Sequence, residues 1–369
     1  MTADVVAEFG AFLDDFLPRD YAENYQRYRR DVALRREYQA AAFDEGWLIP
    51  EWGRDEGGRN LDGPQALAVK LLGAQRRVPR LLNIQGAGVA APAIRAFGTP
   101  EQRERLLRPA ARGDEWWALG MSEPGAGSDL ASLRTTATLV DDVFIVNGQK
   151  VWTTQADEAR WCTLYVRTDP EAPRHRGISC LILDLSTPGV TVRPIRTAGP
   201  AIESFCEVFL DDVRVPRESL LGPLNGGWGV AVASLEHERD MIWINTWLET
   251  NRALDPALRA PEITDAQLVK LGRSLADAEG LRLTGLRTAA QRWAGISSPA
   301  WLTLKLLGSE SVQRAALLSL EVAGPQALVD PAIFDERLES LGATIYGGTS
   351  EIQRDIIAER ALGLPKGRS

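Results

Sequence analysis

Histidine and cysteine are both scarce, with two of the first and three of the second in 369 residues. His175 and His237 have no metal-ligand spacing, and neither accompanies a Gly-x-Ser-x-Gly elbow, so a zinc site or a His-dependent triad is not expected. Cys162, Cys180 and Cys206 are an odd, scattered set without CxxC spacing, which fits free thiols in a reducing cytoplasm. No run approaches the roughly 18 to 20 apolar residues of a membrane span, and no basic segment leads into an apolar one as a signal peptide requires. A P-loop is missing as well. Gly86-Ala-Gly88-Val-Ala-Ala91 matches a dinucleotide fingerprint loosely, but no strand precedes it and no βαβ unit follows, so helix packing is expected there. A net charge of −8 argues against a general nucleic-acid binder.

What remains is ordinary globular composition, 44% hydrophobic and 25% charged, on a chain long enough for two or three domains. Up to about Trp117 the pattern is helical. Thr99-Pro100-Glu101-Gln102 marks one helix start, with Thr99 as cap, Pro100 in the first turn and Gln102 completing a capping box. From Met121 to Leu221 the period changes. Val143–Val146, Asn147-Gly148 and the following Gln-Lys-Val-Trp-Thr are expected to form a hairpin with a type I′ turn. Further β-rich runs at Trp161–Arg167, Ile178–Leu185, Val190–Arg196 and Cys206–Leu210 suggest a small barrel or sandwich. After Gly226-Gly227 the helical period returns. Its longest segment is expected at Asp265–Gly295, with Leu268, Leu271, Leu275, Ala278, Leu286 and Trp293 on one stripe, and Pro256, Pro261 and Pro299 marking connections.

Four segments could carry chemistry. Met121-Ser-Glu-Pro-Gly-Ala-Gly-Ser-Asp129 could cradle a flat or anionic ligand through its glycines, Ser122 and Ser128, or be a plain connection. Trp152-Thr153-Thr154 could flank an aromatic cofactor, although a half-buried strand Trp is the commoner arrangement. Tyr346-Gly347-Gly348-Thr349-Ser350-Glu351 is a Gly-rich turn opening a helix capped by Thr349 or Ser350, suited to an electron-rich group or simply a capped turn. In Leu235-Glu-His-Glu-Arg-Asp240, Glu238 shares a helical face with Ala231, Leu235, Met241 and Ile242, while Glu236 and Asp240 fall opposite. A carboxylate on an apolar face suits a general base, and it equally suits a core ion pair.

These segments together resemble the acyl-CoA dehydrogenase family. Gly120–Ser132 is similar to its first signature and Asn147–Thr154 to the next. Phe205–Pro216 resembles the strand closing the β-domain, and Tyr346–Gln353, running into Ile356–Gly363, resembles the C-terminal signature. Gly98–Gln102 stands at the matching N-terminal place, so the resemblance spans about Leu13 to Pro365. It implies an α+β chain: an N-terminal helical domain (1–118), a β-barrel domain (119–221) and a C-terminal helical bundle (222–369). It also implies FAD between barrel and bundle. Met121, Ser122, Gly127 and Ser128 would line the flavin, Trp152, Thr153 and Thr154 would lie against its ring, and Thr349 and Glu351 would reach it from the C-terminal loop. Ser128, Glu236, Tyr346, Gly347 and Gly348 would meet the thioester.

The implied reaction is α,β-dehydrogenation of an acyl-CoA. Hydrogen bonds to the thioester carbonyl, from the Gly347 backbone N–H and the FAD ribityl chain, would favour the developing enolate. Many family members carry their catalytic Glu where this chain has Gly347. A smaller group places it on the helix after the barrel, directly before an Arg, which is the position of Glu238-Arg239. The resemblance therefore makes Glu238 the base and Arg239 its electrostatic neighbour. The Arg-x-x-Phe-Gly segment, through which the family holds a neighbour's FAD, is replaced by Leu258–Asp265, and Gln-x-x-Gly-Gly is reduced to Glu321-Val-Ala-Gly324. Expected partners are an acyl-CoA or acyl-carrier thioester, an electron-transfer flavoprotein, and further copies of the chain (dimer or tetramer) or a homologous subunit. Action as an oxygen-using oxidase, and a catalytically weak role within a heteromer, are the rival outcomes.

Overall fold

The computed structural model describes residues 2–198 and 203–366, apart from the side chains of 235–241. Helices α1 (Thr2–Phe16), α2 (Tyr25–Tyr28), α3 (Val32–Asp44), α4 (Gly63–Gln75), α5 (Ala91–Phe97) and α6 (Pro100–Arg112) form the N-terminal layer. Helix α6 starts as its sequence demands. Thr99 Oγ1 accepts from Gln102 N at 3.2 Å, and Gln102 Oε1 accepts from Thr99 N at 3.1 Å. The segment Gln85–Ala90 is a π-helical turn running into α5. A Cβ on Gly86 would lie 2.5 Å from Asn83 Oδ1 and 2.9 Å from the Ala110 carbonyl, so glycine serves close helix packing there.

Among the described residues eight strands make one sheet: β1 (Trp117–Gly120), β2 (Thr136–Val140), β3 (Val143–Thr154), β4 (Trp161–Arg167), β5 (Ile178–Asp184), β6 (Val190–Ile195), β7 (Phe205–Pro216) and β8 (Leu220–Leu221). The order is β6-β7-β3-β2-β4-β5-β8, with β1 parallel to β4. One cluster gathers Phe144, Val146, Leu164, Leu181, Val208 and Val213 from both halves, so the sheet curls around a single core in the manner of a barrel.

The expected turn at Asn147-Gly148 is not a turn. Strand β3 runs straight through it, and the hairpin reverses at Asp141-Asp142, both left-handed (φ 47° and 61°) as a two-residue I′ loop requires. Asn147 and Gly148 instead form a bulge against β7. The Asn147 amide exchanges hydrogen bonds with Asp212 at 2.8 and 2.9 Å, and a Cβ on Gly148 would strike Thr135 at 2.6 Å.

The C-terminal layer is α7 (Gly227–Leu258), α8 (Asp265–Trp293), α9 (Thr303–Ala323), α10 (Pro331–Ser340) and α11 (Ser350–Arg360). The longest helix is α7, at 32 residues against 29 for α8. Pro256 does not mark a connection, because Ala253, Leu254 and Ala257 are buried against α8 and α9 and hold the last turns helical. The α8 stripe is only partly core: Leu271 and Ala278 are buried, whereas Leu268, Leu275 and Trp293 are exposed. Buried Arg29 bonds Glu336 at 3.2 Å and Glu339 at 3.1 Å, and Arg252 on α7 bonds Glu336 at 2.6 Å. These charges tie the two helical layers together. Among the described residues no helix is long and apolar enough to cross a membrane.

Candidate active site

Strand β1 delivers the chain into segment 121–129 through Gly120, where a Cβ would meet Leu164 at 2.9 Å and the Cys162 sulfur at 3.0 Å. The loop turns at Pro124-Gly125, with Glu123 and Ala126 exchanging backbone hydrogen bonds at 2.9 and 3.1 Å. Its anchor is a buried ion pair. Lys150 Nζ donates to Glu123 Oε1 at 2.8 Å and to the Met121 carbonyl at 3.2 Å, and the Lys150 side chain is 0% exposed. Glu123 also accepts from the Arg134 and Thr135 amides at 2.6 and 2.9 Å. Burial pushes the Glu123 carboxyl up, but the Lys150 ammonium and these donors outweigh it and hold it below the usual carboxylate range. Burial in turn lowers Lys150, with Glu123 pulling the other way. Met121 and Ser122 are half-buried, while Gly127 and Ser128 are exposed. Among the described residues a Cβ on Gly125 or Gly127 would meet nothing within 4 Å, so a ligand can approach that backbone.

Trp152 is not the half-buried strand residue that its neighbours suggest. A break in the β3–β7 register between Lys150 and Thr153 turns it outward, 59% exposed, with φ at +59°. An indole in the left-handed region is strained by about 1–3 kcal/mol, and among the described residues its one ring contact is the edge of Phe205 at 6.3 Å. Beside it Thr153 is fully buried, and its Oγ1 has no hydrogen-bond partner among the described residues. Thr154 is half-buried. The strand end is fixed from behind by Gln155, whose amide donates to the Leu82 carbonyl at 3.1 Å and accepts from Asn83 at 3.2 Å. An outward indole, an orphaned hydroxyl and an unobstructed glycine backbone fit a planar ring with a polar edge.

A substitution separates strain from binding. Trp152→Gly should leave the FAD-free protein at least as stable, because relief of strain on the order of 1 kcal/mol offsets the extra chain entropy of glycine. It should weaken flavin retention roughly three- to tenfold through lost stacking. Thermal melts without FAD, paired with flavin dialysis, check both. A large drop in the FAD-free melting temperature would make the indole structural instead.

The third segment sits on α9 and α7. Gly347 and Gly348 are both left-handed, at φ 64° and 96°. Lys305 Nζ donates to the Gly348 carbonyl at 2.6 Å and to Ala343 at 3.2 Å, and Gln353 Nε2 donates to the Gly347 carbonyl at 3.4 Å. Thr349 Oγ1 caps α11 by accepting from Ile352 N at 3.3 Å. Tyr346 and Glu351 are exposed. The expected Glu236, Glu238 and Arg239 lie on α7, and their side chains fall outside the described residues. The helix itself is placed. Ile242, one turn beyond Glu238, has its Cδ1 3.7 Å from where a Gly347 Cβ would stand, so the Gly-Gly loop abuts α7 about 6 Å along the axis from Glu238.

Three family models match in chain order: the acyl-CoA dehydrogenase N-terminal domain at residues 5–114, the middle domain at 118–213 and the C-terminal domain at 225–362. The chain belongs to the acyl-CoA dehydrogenase family. Its members are oxidoreductases acting on CH–CH donors. Among curated relatives, acyl-CoA dehydrogenase FadE34 of Mycobacterium tuberculosis is 39% identical over 89% of this chain, which spans only 46% of FadE34. Acyl-CoA dehydrogenase IpdE1 of the same organism is 37% identical over 90% of this chain and 88% of its own length. Among solved structures, the Tcur3481-Tcur3483 steroid ACAD superposes with a TM-score of 0.85 at 26% identity, covering 99% of this chain and 98% of that one. Lys150 and Glu123, which no expectation singled out, both lie inside the segments that resemble family signatures. Their pairing across 27 positions is invisible until the sheet forms.

Proposed function

We propose that this acyl-CoA dehydrogenase converts an acyl-CoA to the 2,3-enoyl-CoA, with Glu238 removing the α-proton. The observation that carries the proposal is the contact between the Gly347 loop and α7. Position 347 has no carboxylate, yet it abuts α7 at Ile242, one helical turn beyond Glu238. The Gly347 N–H is then available to the thioester carbonyl, where a donor stabilises developing enolate charge. Arg239 acts as the electrostatic neighbour of the base, and Glu236, Ser128 and Tyr346 contact the thioester arm. FAD, when bound, supplies the two-electron acceptor for the β-hydride. Met121, Ser122, Gly127, Trp152, Thr153 and Thr154 would hold its ring from the sheet side, and Thr349 and Glu351 from the C-terminal loop. An electron-transfer flavoprotein then takes the electrons. The acyl group is bulky, branched or polycyclic, in keeping with the steroid ACAD among the structural neighbours.

Anaerobic titration with a panel of acyl thioesters, following flavin absorbance, tests this reading. Bleaching by a bulky acyl-CoA is the expected result. Activity confined to short straight chains would remove the substrate class, and reaction only with carrier-protein thioesters would move the enzyme to another pathway type. Rapid reoxidation on admitting air would mark an oxidase. A second arrangement is favoured by the two components named in the Tcur3481-Tcur3483 steroid ACAD: the active assembly contains a second, partner subunit. Purification as a colourless chain that gains flavin only with such a partner would establish it.

A further inference from the structure

Three amide side chains are buried where the N-terminal layer meets the sheet: Gln39 on α3, Asn83 just before the π-helical turn, and Gln155 just past β3. Asn83 satisfies all four of its hydrogen-bonding positions. Its Oδ1 accepts from the Gly86 and Trp117 backbone amides at 2.8 and 2.9 Å. Its Nδ2 donates to the Trp117 carbonyl at 2.9 Å and to Gln155 Oε1 at 3.2 Å. Two backbone N–H donors at one end leave no choice of which end is oxygen, and Gln155 inherits that choice. It must turn its oxygen to Asn83, so its Nε2 donates to the Leu82 carbonyl at 3.1 Å. Gln39 carries the chain on to α6, accepting from the Leu82 amide at 2.9 Å and donating to the Ala111 carbonyl at 3.2 Å.

These amides grip the roots of both sheet segments that face the flavin. Trp117 opens β1, which runs through Gly120 into the 121–129 loop, and Gln155 directly follows Trp152-Thr153-Thr154. The second root is strained. Trp152 and Gln155 are both left-handed, at φ 59° and 55°, and such backbone persists only where its surroundings over-determine it. The Gln155 main chain is held within the sheet domain, its N–H donating to the Ser204 carbonyl at 2.9 Å and its carbonyl accepting from the Glu158 and Ala159 amides at 3.1 and 2.9 Å. Its side chain ties the same turn to the N-terminal layer. We propose that Asn83 and Gln155 are positioning residues for the flavin, holding the Trp152 indole and the 121–129 backbone in one frame for the ring. This role rests on the ring placement proposed above.

The test uses the FAD-loaded full chain carrying Gln155→Met, which keeps the length of the side chain and removes both of its hydrogen bonds. Flavin retention, read by dialysis, should weaken at least about threefold. In the protein that keeps flavin, the two-electron potential should shift by about 15 mV or more, equivalent to a roughly threefold change in the ratio of oxidised to reduced affinity, because contacts around the ring tune its electronics. Adding Trp152→Gly should weaken retention at least about twofold less than the product of the separate effects, since groups acting through one another are not additive. Gln155→Asn is the milder second variant. Asparagine tolerates the left-handed backbone but is one methylene too short to reach both Asn83 and Leu82, so retention and potential should move in the same direction. A lower FAD-free melting temperature with retention and potential unchanged would make the amides merely structural and overturn the role, as would effects of Gln155→Met and Trp152→Gly that multiply in full. Trp152→Gly with retention unchanged would remove the ring placement and the positioning role with it. A weakened Trp152→Gly beside unaffected Gln155 variants would remove the positioning role alone.

Discussion

Glu238→Gln is expected to keep FAD bound and to slow substrate-dependent flavin bleaching by about 10²- to 10⁴-fold, the contribution typical of a positioned general base. Glutamine preserves the volume and polarity of the side chain but cannot accept the α-proton. Nothing at position 347 can take over, since the residue there is glycine. Of the residues that share its helical face, Ala231 is buried and Ile242 half-buried, and a carboxylate on an apolar face becomes more basic. A stopped-flow trace with an undiminished rate would remove Glu238 from the mechanism. The loop also permits a rescue. A Cβ at 347 would find its nearest neighbours among the described residues at 3.7 and 3.8 Å, ordinary van der Waals contact, while the left-handed backbone costs on the order of 1 kcal/mol. Gly347→Glu placed on Glu238→Gln should therefore recover part of the lost rate. Recovery would show that both positions address the same proton.

Local signals in the sequence predict local structure well. The Thr99 cap, the Thr349 cap and the change of period near Met121 each depend on residues a few positions apart, and each appears where expected. The failures involve partners distant along the chain. Asn147-Gly148 has the composition of a type I′ turn, but Asn147 is captured by Asp212 on β7 and the reversal moves to Asp141-Asp142. Pro256 has the look of a helix end, but burial of Ala253, Leu254 and Ala257 outweighs it. Trp152 is the instructive case. Strand propensity places an aromatic half-inside, and the register break that turns it outward depends on β7. An exposed, strained indole is a poor choice for stability alone, which is why its misplacement by simple propensity points toward ligand contact.

Lys150→Met should be the most damaging substitution for the first loop, because it leaves the Glu123 carboxylate buried without its counter-ion. Removing one partner of such a pair costs about 3–5 kcal/mol, and the loop it anchors should release flavin with it. The pH dependence distinguishes this cause from lost packing. In the wild type the folded Glu123 carboxyl titrates below its ordinary value of 4.5. Its contribution is therefore complete above that ordinary value and is lost as pH falls through the lower, folded one. In Lys150→Met the sign reverses, since burial now acts without the ammonium and raises the carboxyl. The penalty is then full at neutral pH and shrinks as acid protonates Glu123. The gap in melting temperature between the two proteins should narrow steadily on acidification from neutrality toward the ordinary carboxylate range. A gap independent of pH would assign the loss to the aliphatic stem of Lys150 rather than to its charge. Glu123→Gln combined with Lys150→Met should restore part of the stability, because the amide carries no unpaired charge and its oxygen can still accept from one of the Arg134 and Thr135 amides, which reach different carboxylate oxygens.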